Sequence, residues 1–140
     1  MRRVILSADE FVRLRRSRLK SDYNRAAYDC AANEVWHDVI ARFPEMKIWV
    51  VHNKTVPGEI LEMLSVDEDA EVRIAVAMKR RTPPEVLLRL AGDSEFGVRM
   101  AVACNRKAPL SALRSLSMDS DERVATEAGR RMAERFGKAV

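Results

Sequence analysis

The phrase "VRIAVAM", ending at Met78, returns as "VRMAVAC", ending at Cys104, 26 residues later. Set against each other, residues 52–77 and 78–103 carry the same residue at ten positions. These are Pro57/Pro83, Glu59/Glu85, Leu61/Leu87, Leu64/Leu90, Asp67/Asp93, Val72/Val98, Arg73/Arg99, Ala75/Ala101, Val76/Val102 and Ala77/Ala103. A third copy is visible in Pro109, Leu113, Leu116, Asp119, Arg123 and Ala125, and reads as two residues shorter between its Asp and its Arg. A degenerate earlier copy ends in "KIWVVHN", with Lys47 at the Arg position. A unit this short cannot bury its own apolar face, so successive copies must stack.

Each copy parses into two short helices. Thr82-Pro83-Pro84-Glu85 opens the first with a capping residue, prolines where no N–H is needed and an acid in the first turn. Val86, Leu87 and Leu90 form its apolar face, and Gly92-Asp93-Ser94 ends it. Val98, Ala101 and Val102 give the second helix an i, i+3, i+4 face, and the small Ala101 and Ala103 allow close helix approach.

The segment "TPPEVLLRLAGDSEFGVRMAVACN", Thr82 to Asn105, resembles the leucine-rich repeat variant pattern of bacterial HEAT-like proteins. That pattern is Thr-Pro-(x)3-Leu-(x)2-Leu-Ala-x-Asp-(x)4-Val-Arg-(x)2-Val-Ala, and the resemblance covers residues 52–128. It implies an all-α fold: a right-handed α-solenoid, a HEAT/armadillo-like superhelix, with a binding role. About three to four two-helix repeats are expected, preceded by capping helices. The chain departs from the pattern where Asn-Pro usually follows the second helix. Asn53-Lys54, Lys79-Arg80 and Asn105-Arg106 stand there instead. Some relatives carry an N-terminal cysteine cluster for iron–sulfur; this chain does not, so no cofactor is expected.

The first 44 residues differ from the rest. Ser7-Ala8-Asp9-Glu10 is a capping box that starts a helix near Ala8. A second, longer helix is expected after Ser21-Asp22, with Tyr28, Ala31, Val35, Trp36, Val39, Ile40 and Phe43 on one face until Pro44 stops it. The expected organisation is a basic helix and a capping helix over 1–44, then a repeat array over 45–140. The array ends in a helix with the stripe Val124, Ala128, Met132 and Phe136.

Apolar residues make up 47% and charged residues 33%, a balance that favours a folded domain over disorder. Cys30 and Cys104 stand far apart with no CxxC, and are read as reduced core thiols. Trp36 and Trp49 sit in apolar runs and are read as core. The apolar run Val4–Leu6 is too short for a signal peptide, and no stretch approaches a membrane span. A cytoplasmic protein without a membrane partner is expected.

The net charge of +4 is unevenly placed. Residues 1–30 carry eight Lys/Arg against four Asp/Glu, which is 8 − 4 = +4. The stretch "RLRRSRLK", Arg13–Lys20, is the densest part. Within the repeats, acids gather in the turn before the second helix: Asp67, Glu68, Asp69 and Glu71; Asp93 and Glu95; Asp119, Asp121 and Glu122. Bases gather after it: Lys54; Lys79, Arg80 and Arg81; Arg106 and Lys107. Stacking would turn these into an acidic and a basic edge. The helix dipole favours this sorting by about 0.3–1 kcal/mol per charge, which could produce it unaided.

Three sets of candidate residues follow. Asp67, Arg73, Asp93, Arg99, Asp119 and Arg123 are expected to form a structural ladder, each Asp capping a second helix and each Arg pairing with a neighbouring copy. Ile74, Met78, Met100 and Cys104, with His52 in register, would line a groove for a protein partner. Lys54, Lys79, Arg80, Arg81, Arg106 and Lys107 would form the basic edge. No HExxH, Gly-Lys-Ser/Thr or nucleophile elbow occurs, so neither an enzyme, a metal site nor a small-molecule substrate is expected. The expected function is a non-catalytic module that binds another protein, with an inhibitor or immunity-type role fitting its size. The alternative is a nucleic-acid binder using the basic helix and edge, on a repeat scaffold similar to that of alkylpurine DNA glycosylases.

Overall fold

The computed structural model describes residues 3–137. Among these the chain forms ten α-helices, one 3-10 turn and a pair of two-residue strands. Two compact units divide after Leu64.

In the first unit, β1 (Val4–Ile5) pairs in parallel with β2 (Cys30–Ala31), Val4 opposite Cys30 and Ile5 opposite Ala31. Helix α1 (Ala8–Arg16) starts at Ser7, whose Oγ accepts the Glu10 N–H at 3.0 Å. Glu10 Oε1 in turn accepts the Leu6 N–H at 3.1 Å, so the box closes one residue further out than its usual form. The helix buries Ala8, Phe11, Val12 and Leu14, and Phe11 meets Trp36 edge to face, centroids 5.3 Å apart. Both rings are fully buried and anchor this core.

The longer helix expected from Asp22 to Phe43 is two helices, α2 (Lys20–Tyr28) and α3 (Asn33–Arg42). Between them β2 gives its backbone hydrogen bonds to β1 rather than to a preceding turn. Tyr28 is therefore exposed, while Trp36 and Val39 reach the core. Pro44–Met46 forms the 3-10 turn, followed by α4 (Lys47–His52) and α5 (Gly58–Leu64). Helix α3 packs on both α4 and α5, and the Asn33 amide donates to Glu59. Residues 45–64 thus fold with the N-terminal helices, and the boundary between compact units falls after Leu64 rather than after residue 44.

The second unit holds α6 (Ala70–Met78), α7 (Pro84–Leu90), α8 (Phe96–Cys104), α9 (Leu110–Ser117) and α10 (Glu122–Phe136). Helix α6 packs on α8 and α8 on α10, while α7 packs on α9. Second helices therefore adjoin second helices, and first adjoin first. Val72 and Val76, Val98 and Val102, and Val124 and Ala128 are buried along one row. Leu87, Leu90, Leu113 and Leu116 are buried along the other. Each of these buried Val and Leu side chains contributes about 1.5–3 kcal/mol.

Candidate functional site

The acidic turns are built by their own side chains. Asp67 Oδ1 accepts the Asp69 N–H, Asp93 Oδ1 the Glu95 N–H and Asp119 Oδ1 the Asp121 N–H, at 2.8–2.9 Å. Each repeat Asp thus closes a turn two residues before the helix cap rather than capping the helix itself. The helix caps are Asp69, Glu95 and Asp121, spaced at 26 residues.

Arginine ties one turn to the next. Arg73 donates to Asp93 from Nε at 2.9 Å and from Nη2 at 3.2 Å, while Nη1 donates to the Asp67 and Glu68 carbonyls. Arg99 repeats this with Asp119 at 2.8 and 3.3 Å and with the carbonyls of Asp93 and Ser94. These bidentate pairs are mostly buried. Burial pushes the Asp93 carboxyl up, but the Arg73 guanidinium and the Glu95 N–H outweigh it and hold the group below its usual range.

Arg123 does not continue the ladder. Because the caps keep the 26-residue period, Val124 takes the place of Val72 and Val98, and Ala125 takes the place of Arg99. The third copy is therefore not shortened before its helix. Arg123 sits in the first turn of α10 with its side chain 69% exposed and pairs with Asp121 of its own turn at 2.8 Å. That bond holds the Asp121 carboxyl down at about 2. The Arg123 guanidinium also lies 4.0 Å over the Phe96 ring.

A second, backward-reaching tie joins the repeats, and the sequence reading missed it. The buried Asn105 amide donates to the Ala77 carbonyl at 2.8 Å and the Lys79 carbonyl at 3.0 Å, and its Oδ1 accepts the Lys107 N–H. In the first unit Asn53 does the same to Ala26 and Asp29, with Thr55 as donor. The middle copy has Lys79 at that position, and the Thr82 hydroxyl donates to the Val76 carbonyl instead. The signal was in the sequence as Asn53 and Asn105, 52 residues apart and two periods in register.

The Asn105 tie sets the loop Lys79, Arg80 and Arg81 beside the loop Arg106 and Lys107. Arg135 of α10 joins them by donating to the Ala108 carbonyl at 2.7 Å. Lys54 lies in the first unit, where its N–H donates to the Ala27 carbonyl. Of the groove residues, Ile74 and Met78 lie on α6, and Met100 and Cys104 on the adjoining α8. Met78 is 62% exposed and Cys104 exposed, whereas Ile74 and Met100 are half-buried. Gly97 on α8 lies against the Ile74 side chain. His52 is in the first unit, tilted against Trp49 with ring centroids 5.7 Å apart.

Two expectations about buried residues change. Cys104 is an exposed free thiol and Cys30 a half-buried one. Trp49 is 39% exposed, with the Arg15 guanidinium 3.5 Å above its ring. The short α4 turns Val50 and Val51 inward and leaves Trp49 on the opposite side. The basic helix α1 is a core element, and several basic residues of the first unit are paired: Arg16 with Glu45, Arg25 with Asp29 and Glu10, and Arg42 with Asp9 and Asp38.

Among the described residues, no cluster of three or more His, Cys, Asp or Glu side chains converges at metal-binding distance. No described helix is long and apolar enough to cross a membrane. Residues 70–95, a window as long as the period, match the family model described as leucine rich repeat variant. The matched window spans α6 and α7, and it is this segment that is similar to the helical-repeat family. No curated protein and no solved structure matches the chain.

Proposed function

We propose that this chain is a non-catalytic helical-repeat module that docks another protein through the ends of α6 and α8. The carrying observation is the Asn105 tie, which fastens two basic loops side by side next to the exposed Met78 and Cys104. An apolar side chain flanked by fixed cations suits an acidic partner surface with an apolar anchor. The two helix rows of residues 65–140 support reading that unit as a stretch of right-handed α-solenoid of the HEAT/armadillo kind. An inhibitor or immunity-type role toward a cognate cytoplasmic protein is the fullest form of this reading.

A second reading is nucleic-acid binding. It is favoured by Arg80, Arg106 and Lys107, which are exposed and have no ion pair among the described residues. One experiment separates the two: capture from a native lysate on the immobilised protein, at low and moderate salt, with and without nuclease. Docking of a protein predicts a partner that survives both treatments and is lost from the Met78→Lys/Met100→Lys variant. Nucleic-acid binding predicts loss with salt or nuclease, and loss from Arg80→Glu/Arg106→Glu. Retention by both double variants overturns both readings.

A further inference from the structure

The first unit holds a cavity of about 160 Å³ lined by Arg15, Tyr23, Asn24, Ala27, Trp49 and His52. Its unusual member is Arg15. Arg16, Arg25 and Arg42 each hold a carboxylate. Arg15 instead lies on the Trp49 indole, 3.5 Å from its centroid, and its Nε is buried with no hydrogen-bond acceptor. Among the described residues its guanidinium has no ion pair. A part-buried cation without an anion is costly, and a ring beneath it fixes its plane without giving its N–H groups acceptors. The other walls are flat or apolar: Tyr23, Ala27 and Trp49, with the Asn24 amide among them.

We propose that this cavity binds a small planar monocarboxylate, of the aromatic-acid class, with its carboxylate on the free edge of the Arg15 guanidinium. Planar fork geometry matches a carboxylate. A single cation balances a single negative charge, which disfavours a phosphate dianion. The cavity has room for one small ring. The ligand is held and not transformed, and its lining residues belong to the first unit, whereas α6 and α8 belong to the second.

The test is titration of the full-length protein with benzoate, benzamide and inorganic phosphate, following backbone and indole amide resonances. Benzoate is expected to saturate, moving Arg15, Tyr23, Asn24, Trp49 and His52 together. Benzamide, the neutral isostere, and phosphate should each bind at least tenfold more weakly. Arg15→Gln should weaken benzoate at least tenfold, Arg15→Lys should weaken it less, and Arg13→Gln on the same helix should leave it unchanged. Because the comparison of benzoate with benzamide is made on the unaltered chain, it does not depend on how the variants fold. Non-saturating shifts, equal binding of benzamide, equal binding of phosphate, or full benzoate binding by Arg15→Gln would each overturn the proposal.

Discussion

Arg73 holds Asp93 by two hydrogen bonds, at 2.9 and 3.2 Å, across twenty residues of chain. The same guanidinium clasps the carbonyls that lead into its own helix. One side chain thus orders two successive turns. Replacing it by alanine leaves a mostly buried carboxylate without its partner, and a loss of about 1.5–3 kcal/mol is expected in urea unfolding. Arg73→Lys should recover only part, because a point charge cannot make the fork. Arg123→Ala should cost less than Arg73→Ala, since the Arg123 side chain is 69% exposed and its bond to Asp121 is screened by water.

The Asn105 tie predicts a comparable loss. Asn105→Ala removes the donor to two carbonyls and the acceptor for Lys107, and should cost about 2–3 kcal/mol in the same measurement. Asn105→Asp should be no milder, because a carboxylate would face the Ala77 and Lys79 carbonyls with nothing to donate.

Acid should destabilise the second unit through identifiable groups. Asp93, Asp121 and Glu127 all have folded-state pKa values lowered, Asp121 to about 2. A lowered carboxylate contributes stability that is complete above its unfolded value. That contribution disappears as pH falls through the folded one. Stability is expected to fall between about pH 5 and pH 2. Asp93→Asn, less stable throughout, should show a shallower fall over that window in thermal unfolding followed by circular dichroism.

Gly129 sits within α10, and a Cβ there would meet nothing within 4 Å. Gly129→Ala should therefore stabilise the chain by about 0.5–1 kcal/mol through helix propensity alone. At Gly97 a Cβ would come within 3.1 Å of Ile74 Cδ1, the flexible end of that side chain. Gly97→Ala should gain less than Gly129→Ala, and Gly97→Leu should destabilise.

Much of the second unit could be read from the letters because its period is strict. Pro83, Val98 and Ala101 fall where helix start and apolar face require them, and Arg73 and Arg99 mark a recurring charge position. Arg123 misled because matching Arg to Arg ignores the cap. Asp121 accepts from its own helix and sets the register, which puts Ala125 in the Arg position. The first unit was harder. Tyr28 to Phe43 has helical spacing, yet two residues of strand, Cys30–Ala31, interrupt it. So short a pairing depends on Val4–Ile5 far along the chain and leaves no local mark. The Arg15–Trp49 stack was equally hidden, since neither residue's neighbourhood names the other.

Because Ala125 stands where Arg99 would predict another guanidinium, the last turn-to-turn clasp has no successor. A further repeat, or the leading turn of a second molecule, would find a methyl group where the hook should be. One residue thus decides that a turn packed after α10 is denied the most directional bond that links the turns before it.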